Sequence, residues 1–118
     1  MQHSRKPETG EIVVLCAAAG AESAEGIARA LVEARLAACV NIVPGVLSVY
    51  RWKGEVCREP ECLLLVKTRA ENFEAVRREI RRLHTYEVPE IAALPITAGD
   101  GDYLAWLGEA AAPLDPPC

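Results

Sequence analysis

The elements predicted along this chain of 118 residues follow the order strand, helix, strand, strand, helix, strand. This is the order of a split βαβ unit, which folds into an antiparallel sheet with two helices on one face. A short third helix is predicted near the C-terminus. The sequence therefore predicts an α+β protein with a ferredoxin-like sandwich fold. A content of 51% hydrophobic residues in a chain of this length suits one compact domain.

The first strand and the first helix are predicted from the spacing of apolar residues. Residues 12–19 are almost all apolar, as in a buried strand. Within residues 24–38, Ile27 and Leu31 recur at the spacing of one helix face. Ser23 stands just before this stretch and is the expected N-cap, because its hydroxyl can accept a hydrogen bond from a free backbone N–H.

A long β-hairpin is predicted in the middle of the chain. Its first strand spans residues 40–53, and the Pro-Gly pair at 44–45 should kink it or create a β-bulge. Residues 53–55 form the expected turn into the next strand, which ends in Leu63-Leu64-Leu65-Val66-Lys67. The Glu-Pro-Glu sequence at 59–61 is expected to interrupt the regularity of that strand.

The second helix is predicted to begin with a capping box formed by Thr68 and Glu71. Apolar residues then recur at helical spacing from Phe73 to Leu83. The opposite side carries arginines with glutamates interleaved among them. We expect this side to be a solvated, salt-bridged face in preference to an anion-binding patch. The arginines are at positions 77, 78, 81 and 82.

The last part of the chain is predicted to bend into a strand and a short helix. Pro89 forces the chain out of the second helix and toward an extended conformation. The fourth strand is expected at residues 91–97, where Pro95 marks an edge or bulged strand. Asp100 or Asp102 should cap the third helix.

The predicted strands are apolar on both faces. Residues 12–15, 63–66 and 91–94 are apolar at successive positions, whereas a strand with one wet face alternates apolar and polar residues. Two helices cover only one face of a sheet, and the third helix is too short to cover the other. We therefore expect another subunit to cover the second face.

Composition and charge exclude several classes of function. The net charge is −4, whereas binding to a nucleic-acid backbone needs a concentrated basic face. No stretch approaches the roughly 18 uninterrupted apolar residues that cross a bilayer. Glu8 and Glu11 argue against a secretory leader, and five cysteines, an odd number, indicate reduced thiols. We expect a cytoplasmic protein that binds neither nucleic acid nor membrane.

The chain is expected to divide into a domain and two short ends. Residues 1–10 are predicted to be a flexible N-terminal segment, residues 11–109 the domain, and residues 110–118 a flexible tail with an exposed thiol at Cys118. The sequence contains no Gly-x-Ser-x-Gly elbow and no phosphate-binding loop. Since no motif specifies a reaction, we do not expect an enzyme.

The densest group of polar side chains is at residues 84–91, which read His-Thr-Tyr-Glu-Val-Pro-Glu-Ile. With four segments elsewhere, this stretch resembles the CutA family of divalent-cation-tolerance proteins over about residues 12–107. The family usually has proline where this chain has Thr85. The other matching segments are 39–44, 48–54, 65–68 and 103–107.

The resemblance implies an assembly and a role. It implies a tight homotrimer in which the long hairpins of neighbouring subunits interlock, and a part in divalent cation tolerance and the response to metal ions. Copper binding is also implied. The packing further resembles that of trimeric nitrogen-signalling regulators, which bind ligands in clefts between subunits. The alternative role is therefore a trimeric scaffold that binds a small molecule or signals, without catalysis.

A metal site is the first candidate for the chemistry of this chain. Cys39, His84, Cys16 and Glu90 offer thiolates, an imidazole and a carboxylate, a mixed set that suits copper or another divalent cation such as zinc. Each residue also has a structural explanation. The two cysteines would serve as small core residues, and His84 would satisfy the last carbonyls of the second helix.

A pocket between subunits is the second candidate site. Tyr50 and Trp52 share one strand face because they are two residues apart. Their alternative role is in the core of a subunit interface, where aromatic residues are enriched. The residues expected to line the pocket are Tyr50, Trp52, Lys67, Tyr86 and Glu87.

Overall fold

The computed structural model describes residues 9–114. The strands are β1 (Glu11–Ala18), β2 (Cys39–Trp52), β3 (Glu55–Arg69) and β4 (Ala92–Pro95), and the helices are α1 (Ala21–Glu33), α2 (Phe73–Leu83) and α3 (Gly101–Ala110), with a 3-10 turn at Ala70–Asn72. One antiparallel sheet has the order β2-β3-β1-β4. The predicted ferredoxin-like α+β fold is confirmed, and β4 is an edge strand as Pro95 indicated. The expectations for residues 1–8 and 115–118, including Cys118, lie outside the described residues.

One face of the sheet packs against α1 and α2. In β1 the alternate residues Ile12, Val14 and Cys16 are buried, and in β3 Leu64 and Val66 are fully buried. Burial at every second residue is the pattern of a strand with one well-covered face. These residues and both helices form one core. The helix residues of this core are Ala24, Ile27, Ala28, Leu31, Val76 and Ile80.

The opposite face of the sheet is only partly covered within one chain. Val13 and Leu15 in β1 and Leu63 and Leu65 in β3 are half-buried, while Leu94 in β4 is 52% exposed. Apolar residues therefore occupy both faces, as the sequence predicted. Sheets of this composition are normally covered on both sides.

Beyond the sheet, β2 and β3 continue as a two-stranded arm. β1 pairs with β3 only from Cys62 to Arg69, and the remainder of β3 pairs with β2 alone. Lys53 and Gly54 have φ values of +50° and +82°, as in the tight turn of a β-hairpin. The predicted interruption of β3 is wrong, because the strand runs unbroken through Pro60. Proline is tolerated there because the arm presents an edge on the β1 side.

A β-bulge in β2 changes which side chains face the helices. Val43 pairs with Leu63 but Val46 pairs with Glu61, so β2 has one more residue than β3 in this interval. Gly45 has φ +74°, a left-handed conformation that glycine adopts without strain. The bulge predicted at residues 44–45 is thus confirmed. Because one extra residue inverts the alternation of side chains, even-numbered residues after the bulge face away from the helices.

The ends of α1 differ from the prediction. The helix begins at Ala21 with Gly20 as its N-cap, so Ser23 is not the cap. It ends at Glu33, because Arg35 adopts a left-handed φ of +59° that a helix cannot continue through. The apolar spacing extends further along the sequence, but the backbone at Arg35 redirects the chain toward β2.

The capping box predicted at Thr68 and Glu71 does not form. Thr68 lies in β3, and its hydroxyl donates a hydrogen bond to the backbone carbonyl of Leu36 at 2.6 Å. The 3-10 turn then leads into α2. At α3 the prediction is confirmed for Asp100, whose Oδ2 accepts a hydrogen bond from the Tyr103 N–H at 3.2 Å.

The arginine-rich face of α2 is exposed and paired with glutamates, as predicted. Arg77 and Arg78 both form ion pairs with Glu74, and Arg82 pairs with Glu79 at 2.7 Å. These pairs connect residues three or four apart, which lie on the same side of a helix. Three of the four arginines on this face are therefore paired with glutamates of the same helix.

Two side chains from other elements hold the end of α3. Arg35 donates hydrogen bonds to the carbonyls of Glu109 at 3.0 Å and Ala112 at 2.7 Å. Asn72 donates to the carbonyl of Ala111, also at 2.7 Å, and Ala111 is fully buried. These hydrogen bonds fix the backbone that follows α3 as far as Ala112.

Candidate functional site: a cavity beside the hairpin

A cavity of about 730 Å³ lies between the β2–β3 arm and the connection from α2 to β4. Tyr50 and Trp52 of β2 and Glu61 of β3 form one wall, and Tyr86 and Glu87 of the connection form another. This volume is within the range of sites that hold small molecules. The register explains the first wall: after the bulge, Tyr50 and Trp52 lie on the same sheet face as Glu61.

A hydrogen bond between Tyr86 and Glu61 closes the inner end of the cavity. The Tyr86 hydroxyl donates to Oε2 of Glu61 at 2.7 Å, and Glu61 is only 8% exposed. Burial and this hydrogen bond raise the pKa of Tyr86 well above its usual range. The phenol is therefore a hydrogen-bond donor at physiological pH. It joins the α2–β4 connection to the base of the hairpin arm.

His84 connects the same loop to β1 through both ring nitrogens. Nε2 lies 2.6 Å from the backbone carbonyl of Ala17, and Nδ1 accepts a hydrogen bond from the Tyr86 N–H at 3.1 Å. Because Nδ1 accepts this hydrogen bond, the ring donates to the Ala17 carbonyl through Nε2–H. His84 is also the C-cap of α2, where its backbone N–H donates to the carbonyl of Ile80 at 2.8 Å, whereas its ring bonds to a carbonyl of β1 and not to the last carbonyls of the helix. The ring also packs against that of Tyr86, with centroids 4.6 Å apart.

Cys16 is a buried thiol near the end of β1. It lies on the helix side of β1 and is fully buried. Burial, followed by the negative charges of Glu90 and Glu61, raises the pKa of the Cys16 thiol to about 12. At neutral pH the group is therefore protonated and a weak nucleophile. A metal ion would have to displace this proton.

The structure separates Cys39 from the other three predicted metal ligands within one subunit. Cys39 of β2 pairs with Lys67 of β3, and Lys67 pairs with Val13 of β1. Cys39 is therefore two strands away from β1, and its side chain lies on the same sheet face as that of Val13. Cys16 is on the opposite face. From strand spacing and rise per residue, about 14 Å separates the Cα atoms of the two cysteines. The His84 ring contacts Ala17, which follows Cys16, and the charge of Glu90 acts on the Cys16 thiol. These side chains do not form a group of three that could hold a metal ion within residues 9–114.

Of the predicted pocket residues, all but Lys67 line the cavity. Lys67 instead donates a hydrogen bond to the side chain of Asn41. Glu61 is the wall residue that the sequence did not reveal. Its neighbour Glu59 has the same chemistry and strand face but is exposed. Only the packing of the α2–β4 connection distinguishes the two glutamates.

These features define an α+β ferredoxin-like protein with a cavity on the sheet face opposite its main helices. The particular family follows from the sequence. A family model described as CutA1 divalent ion tolerance protein matches residues 12–110, and the chain belongs to this family. The predicted family membership is confirmed.

Similar proteins occur in bacteria, archaea and plants. The chain is 56% identical over 99 residues to the divalent-cation tolerance protein CutA of Thermus thermophilus, a match covering 84% of this chain and 96% of that protein. It is 46% identical over 96 residues to the chloroplastic protein CutA of Arabidopsis thaliana, covering 81% of this chain and 53% of the plant protein. This chain thus spans about half the length of the plant relative.

Solved structures of the family share the fold. The periplasmic divalent cation tolerance protein CutA from Archaeoglobus fulgidus matches with a TM-score of 0.84 and 39% identity, covering 86% of this chain and 99% of that one. The names of these relatives state no enzymatic reaction. Within residues 9–114, no helix combines the length and apolar character that a membrane crossing requires.

Proposed function

We propose that this chain acts in divalent cation tolerance as a cytoplasmic homotrimer that binds its ligand without chemical conversion. Family membership supports the role in tolerance. The single observation on which the proposed assembly rests is the exposed apolar surface of the hairpin arm. Val49 and Val56 are 65% and 67% exposed on that arm.

The arm is a poor structure for an isolated chain. A two-stranded hairpin is only marginally stable in water, and this one has apolar residues on both sides. Leu47, Val49 and Val56 lie on one side, and Tyr50 and Trp52 on the other. Burying a large apolar side chain contributes about 1.5–3 kcal/mol. A neighbouring subunit that covers the arm and the half-buried sheet face would therefore stabilise both, and the resemblance to the CutA family implies three copies.

Sedimentation equilibrium at low micromolar concentration tests the assembly. We expect a mass of three chains for the unaltered protein. Replacing Trp52 with alanine should weaken the assembly, because truncating a buried aromatic residue costs about 3–5 kcal/mol. Arg29→Ala on the exposed side of α1 is the matched control and should leave the mass unchanged. A stable, folded monomer at this concentration would refute the proposal.

The donor set suits copper or zinc, and copper is the cation that the resemblance to the CutA family implies. A thiol, an imidazole and a carboxylate at the end of β1 are ligands for copper or zinc. Binding would require Cys16 to lose its proton and His84 to release one of its hydrogen bonds. Cys39 would have to come from a different subunit, since the fold keeps it on the other sheet face.

Copper titration of a Cys118→Ser parent tests this site without interference from a terminal thiol. We expect Cys39→Ser and His84→Ala each to weaken Cu(II) binding, and affinity to fall on acidification because the ligands must be deprotonated. Cys57→Ser is a control for a thiol outside the set. Unaltered titrations for both variants would exclude these residues as ligands.

The cavity supports a second candidate function, a small-molecule-binding scaffold. Its volume of about 730 Å³ and its mixed aromatic and carboxylate walls are those of a ligand site. Native mass spectrometry of untagged protein distinguishes the two candidates. A retained organic mass favours the scaffold, and one metal ion per subunit favours the metal site.

A further inference from the structure

Glu61 is a buried carboxylate with an incomplete set of partners. It is 8% exposed and lines the cavity. Its Oε2 accepts the hydrogen bond from Tyr86. Among residues 9–114, no lysine or arginine forms an ion pair with it, and its Oε1 has no hydrogen-bond donor. A buried carboxylate is costly unless it is paired with a cation and hydrogen-bonded through both oxygens.

The charges around the cavity leave this carboxylate without compensation. Glu87 and Glu90 also line the cavity, and the described wall contains no basic residue. Outside this wall, Lys53 pairs with Glu87, its Nζ lying 3.9 Å from Oε1. That pair is exposed at the mouth. The interior therefore has a negative potential that attracts positively charged ligands.

Aromatic rings beside the carboxylate define the kind of cation that fits. Tyr50 and Trp52 provide ring faces on the same wall as Glu61. The Nζ of Lys53 lies 5.6 Å from the centroid of the Trp52 ring, within the range of a cation–π contact. Aromatic rings are poor ligands for a divalent metal ion, but they pack well against the body of an organic cation.

We infer that this cavity binds a small organic ammonium compound, with its nitrogen paired to Glu61 and its apolar body packed against Tyr50 and Trp52. The inference rests on the scaffold function proposed for the cavity and specifies its ligand class. The ammonium group supplies the missing donor to Oε1, while Tyr86 keeps its hydrogen bond to Oε2. Apolar contact and charge pairing are thus provided by neighbouring parts of one wall.

A comparison of two isosteric probes tests the charge pairing in the unaltered protein. The probes are 2-phenylethylamine, which is cationic at neutral pH, and 2-phenylethanol, which is neutral. We expect isothermal titration calorimetry at pH 7 to give at least about tenfold tighter binding for the amine, as for a charge-assisted hydrogen bond in a buried site. Equal affinities, or binding of the alcohol alone, would overturn the inference.

Two glutamine variants locate the charge. Glu61→Gln should weaken amine binding by about tenfold or more and leave alcohol binding nearly unchanged. Glu59→Gln is the matched control, because Glu59 lies on the same strand face but outside the cavity wall. Amine affinity that is the same in all three proteins would refute the role of Glu61. If Glu61→Gln does not fold, the probe comparison and Tyr50→Leu, expected to weaken amine binding several-fold, still decide the question.

The same samples separate this inference from the proposed trimer and copper site. Each titrated protein is also examined by sedimentation equilibrium and by Cu(II) titration. A trimer that binds copper but no amine would contradict only the ammonium site. A basic side chain of a neighbouring copy in the cavity would contradict that site as well. A monomer that binds the amine would contradict the proposed assembly and support the ligand class.

Discussion

The hydrogen bond between Tyr86 and Glu61 makes a quantitative prediction about stability. Tyr86→Phe removes the hydroxyl but keeps the ring that packs against His84. The lost bond leads to a charged acceptor, and such bonds contribute about 1.5–3 kcal/mol. Because Glu61 is 8% exposed, water replaces the hydroxyl poorly. We therefore expect the free energy of unfolding to fall by about 2 kcal/mol.

The assay is urea denaturation at one fixed protein concentration, since assembly contributes to the measured stability. Tyr103→Phe is the control, because Tyr103 is exposed and its hydroxyl forms no hydrogen bond to the described residues. Its change should stay within about 0.5 kcal/mol. A double-mutant cycle with Glu61→Gln should give a coupling energy of about 1–2 kcal/mol. Coupling near zero, or a change for Tyr86→Phe no larger than the control, would refute this account of the cavity.

Three further predictions concern other parts of the fold. Gly45→Ala should destabilise the protein by about 1 kcal/mol in urea denaturation, because φ is +74° there. Gly26→Ala, at an open position in a helix, should instead stabilise it by about 0.5–1 kcal/mol. Equal effects of the two substitutions would contradict the bulge. The pKa of the Cys16 thiol is raised from 9.0 to about 12, so the unfolded chain loses this proton at a lower pH than the folded protein. The free energy of unfolding should therefore fall above pH 9, by at most about 1.4 kcal/mol per pH unit. Cys16→Ala should reduce this pH dependence, and an unchanged dependence would count against the shift. Asn72→Ala should lower the free energy of unfolding by about 1–3 kcal/mol and speed hydrogen exchange near Ala111. Unchanged exchange there would show that this bond does not hold the end of α3.

Local patterns in the sequence were sufficient for the elements and the fold class. Apolar spacing from Phe73 to Leu83 predicted the body of α2, although the predicted capping box at Thr68 placed its start too early, and the Pro-Gly pair at 44–45 predicted the bulge. These features depend on interactions between residues close in the chain. The predicted capping box failed because a distant partner competes. The Thr68 hydroxyl bonds to the carbonyl of Leu36, in the segment between α1 and β2, and so does not cap a helix.

The composition of the site depends on register and on contacts between distant segments. One extra residue at the bulge decides that Tyr50 and Trp52 share a face with Glu61. The two-residue alternation of a strand places Cys16 and Cys39 on opposite faces, although both are apolar-strand cysteines in the sequence. Glu59 and Glu61 cannot be distinguished in the sequence, and they differ in the structure because the α2–β4 connection packs over Glu61. A residue's neighbours along the chain specify its backbone, but burial and charge pairing depend on segments that only folding brings together.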